Sequence, residues 1–180
     1  MDVLIIIDMQ TALFDTPRYN SAGVIARINQ LSAATRASGG QVIFIRHNGG
    51  AEEGLAEGSS GWQVLAALVQ QPGDLYIQKT ICDAFYQTEL GAVLTRLQPE
   101  RVIFCGCATD FCVDTTIRAA ASHGLPVVVV SDAHTTTDRP HLAAATIIAH
   151  HNWMWQNLIV PAAPLQLCDT QTVLASFKSN

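Results

Sequence analysis

The feature that most constrains this chain is a series of short, largely apolar runs: Val3 to Ile7, Gln41 to Ile45, Leu75 to Ile77, Val102 to Phe104 and Val127 to Val130. Each is too short for a buried helix. None shows the apolar–polar alternation of a half-exposed strand, so each reads as a strand covered on both faces. Segments of helical period lie between them. Ser21 to Ser38 carries Val24, Ile25, Ile28 and Leu31 on one side and closes on Gly39-Gly40. Helices are also predicted over Trp62 to Val69, Glu89 to Leu97, Ile117 to Ala121, and His141 to His151 with an inner stripe of Leu142, Ala145, Ile148 and Ala149. Leu158 to Val160 is the expected sixth strand. The tail from Ala162 to Asn180 holds a modest apolar pattern and no motif. Unbroken β-α alternation of this kind predicts one domain over residues 1–180. The fold class is α/β, a three-layer α/β/α doubly wound domain with a mostly parallel six-stranded sheet in the order 3-2-1-4-5-6.

Composition narrows the function classes. Apolar residues make up 49% of the 180 and charged ones 14%, which argues for a packed interior rather than disorder. The low charge also hints at surface covered by a partner subunit. A net charge of -5 offers no electrostatic reason to expect nucleic acid or an anionic membrane as partner. No apolar run reaches a membrane span, and Met1-Asp2-Val3 has no basic leader, so a cytoplasmic location is expected. Five cysteines, an odd number with no C-x-x-C, point to free thiols. Cys82 and Cys168 stand alone and read as structural. Cys105 and Cys107 share a strand, and Cys112 falls on the element that follows.

In an open parallel sheet the ligand crevice lies beyond the carboxyl ends of the strands. The residues there are Asp8, Arg46-His47, Lys79, the Ala108 to Cys112 loop and Asp132. Three of them form a chemical set: an acid (Asp8), a cation (Lys79) and a thiol (Cys112). Cys112 is predicted at the start of a helix, where the dipole favours the thiolate. It could attack a carbonyl carbon while Asp8 takes the thiol proton and passes it to a leaving nitrogen. Backbone N–H groups of the Ala108 to Cys112 loop could form an oxyanion hole, worth roughly 3–4 kcal/mol per donor. Singly, each residue also has a bland reading: a loop anion, a surface lysine, an inert buried thiol. Lys79 follows a strand two places from Asp8, roughly 9.6 Å away, so it must lean inward to join the set.

Ile5-Ile6-Ile7-Asp8-Met9-Gln10, Gln78-Lys79-Thr80 with Asp83-Ala84-Phe85-Tyr86-Gln87-Thr88-Glu89-Leu90, and Gly106-Cys107-Ala108-Thr109-Asp110-Phe111-Cys112-Val113 together resemble the motifs of the isochorismatase-like cysteine hydrolases. That family includes nicotinamidases, N-carbamoylsarcosine amidase, and biuret and ureidoacrylate hydrolases. The resemblance implies a triad of Asp8, Lys79 and Cys112. It implies a cis peptide between Cys107 and Ala108 and an oxyanion hole from the amides of Ala108 and Cys112. It also suggests that Phe14, Trp62 and Phe85 line a substrate pocket, although they read equally well as core aromatics. The implied substrate is a small amide or ureide, with relatives that assemble as homodimers or higher homo-oligomers.

Departures from the family pattern bear on the substrate. Metal-dependent nicotinamidases carry an Asp-x-His motif and a further His, whereas this chain has Arg46-His47-Asn48-Gly49 and no second histidine in its Gly49 to Gly61 loop. No metal and no cofactor are therefore expected, and His150 and His151 are expected to cap a helix or face solvent. Asp83 stands where many relatives have serine, either near the pocket mouth or behind it. The leading expectation is hydrolysis of a C–N bond through a Cys112 thioester. Nicotinamidase activity and a non-enzymatic small-ligand binder or scaffold are the alternatives.

Overall fold

β1 (Asp2–Ile7) runs up the centre of the sheet with Val3 to Ile7 excluded from solvent. Burial of each such side chain contributes about 1.5–3 kcal/mol, which makes this strand the anchor of the architecture. The computed structural model describes residues 1–161 and 164–177. β2 (Gln41–His47) and β4 (Arg101–Cys107) flank β1, and β3 (Leu75–Lys79) pairs with β2. β5 (Val127–Thr135) pairs with β4, and β6 (Gln166–Cys168) closes the sheet beyond it. All pairings are parallel and the order is 3-2-1-4-5-6, as the apolar runs predict.

Alternate strand residues feed two cores. On one face Leu4, Ile6, Val42 and Phe44 meet α1 (Ser21–Ala37) through Val24, Ile28 and Leu31, and α5 (Thr170–Phe177) through Val173. On the other, Ile5, Ile7, Ile45 and Phe104 meet three helices. These are α2 (Leu90–Leu97), α3 (Asp114–Ser122) and α4 (Ala144–Gln156), which contribute Leu90, Ile117 and Trp155 among others. Among the described residues no helix is long and apolar enough to cross a membrane.

Four local expectations are corrected. Leu158 to Val160 forms no strand; the sixth is Gln166–Cys168, which is too short and too exposed to show as an apolar run. Trp62 to Val69 is not helical. Its backbone is spent on the segment after β1: Val64 bridges Gln10, and Leu65 N–H donates to the Met9 carbonyl at 2.9 Å. α4 begins at Ala144, where the Asp138 carboxylate accepts the Ala144 N–H at 2.8 Å. Leu142 is instead held in a bridge with Arg139, so the inner stripe shifts to Ala144, Ile147 and Trp155. Asp132 lies within β5 rather than at the crevice. It pairs with Arg27 at 3.0 Å and caps Thr170, tying α1 and α5 to the sheet.

Candidate active site

Two backbone features bring the crevice residues together. Asp8 leaves β1 with a left-handed φ of 48°, a conformation aspartate tolerates better than most residues, and its N–H donates to the Ile45 carbonyl at 3.0 Å. Gly106, paired with Ile7, has φ 123°, and a Cβ there would collide with the Ile7 backbone. Only glycine lets β4 pass so close to the end of β1. The chain then crosses a cis peptide between Cys107 and Ala108. It enters a π-helical turn, Thr109–Val113, in which the Ala108 carbonyl accepts N–H groups from Phe111 at 3.0 Å and Val113 at 3.2 Å. Cys112 therefore sits in this turn, before α3 starts at Asp114, and not at the first residue of the helix.

Lys79 reaches the set by its length. From the end of β3 it passes the end of β2, where its Nζ lies 3.4 Å from His47 Nδ1, and arrives 2.7 Å from Asp8 Oδ2. The same Nζ is 3.2 Å from Cys112 Sγ and donates to the Ile81 carbonyl at 3.1 Å. The Lys79 and Asp8 side chains are 0% and 2% exposed, so this ion pair is removed from water. Among the described residues, no hydrogen-bond partner meets the second Asp8 oxygen, the buried Oδ1.

The electrostatics follow from that burial. Desolvation alone would lower the Lys79 pKa, but the Asp8 carboxylate and Cys112 outweigh it and hold the ammonium above its ordinary value. Burial and then the Asp8 charge push the Cys112 thiol up, against the opposing charge of Lys79. The surroundings of Cys112 therefore disfavour the thiolate that a position at a helix start would favour. Burial and the Lys79 charge lower the pKa of His47, which favours its neutral ring next to the ammonium.

The triad opens onto a cavity of about 270 Å³ lined by Ala108, Cys112, His47, Leu13, Leu55 and Phe111, with Cys82 and Cys107 in the wall and Arg18, Arg139 and Glu53 around it. Phe14, Trp62 and Phe85 are not among the lining residues. Trp62 is buried, stacked under the Arg46 guanidinium at 3.8 Å, and donates from Nε1 to Asn48 at 2.6 Å. Phe85 packs on His123 and against the core beneath α2 and α3, and Phe14 packs against the α1-side core. Asp83 accepts the Phe85 N–H at 2.8 Å and does not line the cavity. His150 is exposed, whereas His151 turns inward and bonds the Ile147 carbonyl at 2.8 Å. Among the described residues no three His, Cys, Asp or Glu side chains are grouped to hold a metal.

Several residues in and around the site have roles that the sequence does not show, although Gln10 and Thr109 fall within its motifs. Gln10, fully buried, clamps the strand ends: its amide donates to the carbonyls of His47 and Trp62, both at 3.0 Å, and accepts the His47 N–H at 2.7 Å. Thr109 contacts His134 Nδ1 at 2.9 Å, and His134 Nε2 contacts Asn152 at 3.0 Å, bracing the Cys112 turn from beneath. Arg18, Glu53 and Arg139 lie outside the three motifs and gather only in the folded chain.

Comparison with known proteins gives the family. The family model described as isochorismatase domain matches residues 2–154. The chain belongs to the isochorismatase family. It is 30% identical over 142 residues to a streptothricin hydrolase of Streptomyces noursei, covering 78% of this chain and 51% of that protein. It is 30% identical over 168 residues to a ureidoacrylate amidohydrolase of Stutzerimonas stutzeri strain A1501, covering 72% and 68% respectively. A crystal structure of an isochorismatase family protein superposes with a TM-score of 0.85 at 34% identity, covering 93% of this chain and 98% of that one. The chain spans about half the length of the streptothricin hydrolases it matches, 51% and 56%.

Proposed function

We propose that this chain is a cysteine-dependent hydrolase that cleaves a C–N bond of a small amide or ureide through a thioester on Cys112. The observation that carries the reading is the Lys79 ammonium held 2.7 Å from Asp8 and 3.2 Å from Cys112 at one cavity wall. Similarity to proteins named as a hydrolase and an amidohydrolase supports the same class of reaction.

In this reading the buried Asp8 Oδ1 takes the Cys112 proton as sulfur attacks the carbonyl carbon. Charge on the carbonyl oxygen is met by the amides of Ala108 and Cys112. Asp8 returns the proton to the nitrogen, the C–N bond breaks, and ammonia or an amine leaves. Water then gives a proton to Asp8 and attacks the thioester, releasing a carboxylic or carbamic acid and restoring the thiol. Lys79 stays charged throughout and offsets the negative charge that shifts between carboxylate and sulfur.

The test is a panel of small amides, ureas and carbamoyl compounds, nicotinamide among them, scored for ammonia release. Active members are then acid-quenched in mid-turnover for intact-mass analysis. Ammonia release with an acyl adduct on the Cys112 peptide supports the reading. A protein that releases neither ammonia nor an amine from any member, and carries no acyl adduct on Cys112, overturns the reading.

A further inference from the structure

The triad leaves one charge in the cavity wall unexplained. Two guanidinium groups face the cavity, Arg18 and Arg139. Arg139 is occupied: it pairs bidentately with Asp110, Nε to Oδ2 at 2.8 Å and Nη2 to Oδ1 at 3.0 Å, and lies 4.9 Å over the Phe111 ring. Arg18 is not. Its Nε donates to the Leu13 carbonyl at 2.7 Å and its guanidinium lies 6.0 Å from the Phe14 ring centre, so the side chain is anchored. Among the described residues it joins no ion pair.

Arg18 lines the same cavity wall as Ala108, Cys107 and Cys112. With Nε occupied, the two Nη groups form the end of the fork that a carboxylate accepts bidentately.

We propose that Arg18 is a specificity-determining residue that binds a carboxylate on the substrate, so that the site takes a small amide or ureide bearing an acid group a few bonds from the scissile C–N bond. The cavity volume of about 270 Å³ suits such a compact molecule. The inference rests on the hydrolase reading for the reaction, but the subsite itself is a matter of binding.

Matched pairs test it: succinamate against butanamide, and 3-ureidopropanoate against N-propylurea, each pair differing by a carboxylate in place of a methyl group. Wild type is expected to favour the acid of at least one pair by about 10- to 100-fold in kcat/KM, the usual worth of a charge-assisted hydrogen-bonded partner. Arg18→Gln should collapse that ratio and Arg18→Lys should restore part of it. General damage to the fold lowers both members and leaves the ratio standing. A wild-type enzyme with no preference for either acid, or a ratio unmoved in Arg18→Gln, overturns the inference. Calorimetric binding of the same compounds to Cys112→Ala separates the two readings. Arg18-dependent binding of an acid without wild-type turnover keeps the subsite and removes the hydrolase. Absence of acid-selective binding removes the subsite.

Discussion

The Lys79 ammonium stands 3.2 Å from the Cys112 sulfur, yet burial and the Asp8 carboxylate keep the thiol pKa raised. The carboxylate therefore has opposite effects on two observables. Asp8→Asn should lower ammonia release by roughly 10²–10⁴-fold, the worth of a general base. It should also speed alkylation of Cys112 by iodoacetamide at neutral pH, because Lys79 is then unopposed. Slower alkylation in the variant would mean that Asp8 does not act on this thiol as its charge and position imply.

Lys79→Met keeps the volume of the side chain but strands a buried carboxylate. Removal of one partner of a buried pair costs about 3–5 kcal/mol. Urea unfolding of the variant should show a loss of that order, alongside loss of turnover. A near-neutral change would indicate that Asp8 reaches water in solution.

Gly106→Ala places a methyl group against the Ile7 backbone at a φ of 123°. The change should cost at least about 1–3 kcal/mol from the backbone conformation alone. Activity should fall further than stability, since the displaced residues carry Ala108 and Cys112. Denaturant unfolding and ammonia release on the same preparation compare the two.

His134 supplies a pH dependence separate from the triad. Complete burial depresses its pKa from 6.5 to about 4. As pH falls from about 6.5 towards 4 the unfolded chain takes up a proton that the folded chain refuses, so stability declines in that window and the loss levels off below it. The contribution is roughly 3 kcal/mol. His134→Gln should flatten the stability profile between pH 6.5 and 4 relative to wild type, measured by urea midpoints across that range.

The sheet was legible because Leu4-Ile5-Ile6-Ile7 and its counterparts are covered on both faces, and burial writes itself into composition. β6 was not, since its Gln166–Cys168 segment sits at the sheet edge with partial exposure. Trp62 to Val69 has the apolar content of a helix, but which backbone partner it takes depends on Met9 and Gln10, far away in sequence. The placement of Asp8, Lys79 and Cys112 at one crevice is readable because a parallel sheet delivers its strand ends there. The meeting of Lys79 with Asp8 was not, because it depends on a side chain crossing β2 at His47. The cavity wall was the least readable part. Phe14, Trp62 and Phe85 are what the family resemblance suggests, whereas Leu13, Arg18, Leu55 and Arg139 come from turns and loops whose course no periodicity records.

Ammonia release by Cys112→Ala, assayed on the best substrate of the panel beside its thermal unfolding, tests the nucleophile most directly. The account predicts a loss of at least about 10³-fold in a variant that still unfolds cooperatively near the wild-type midpoint. A folded Cys112→Ala protein that turns over within about tenfold of wild type would contradict it.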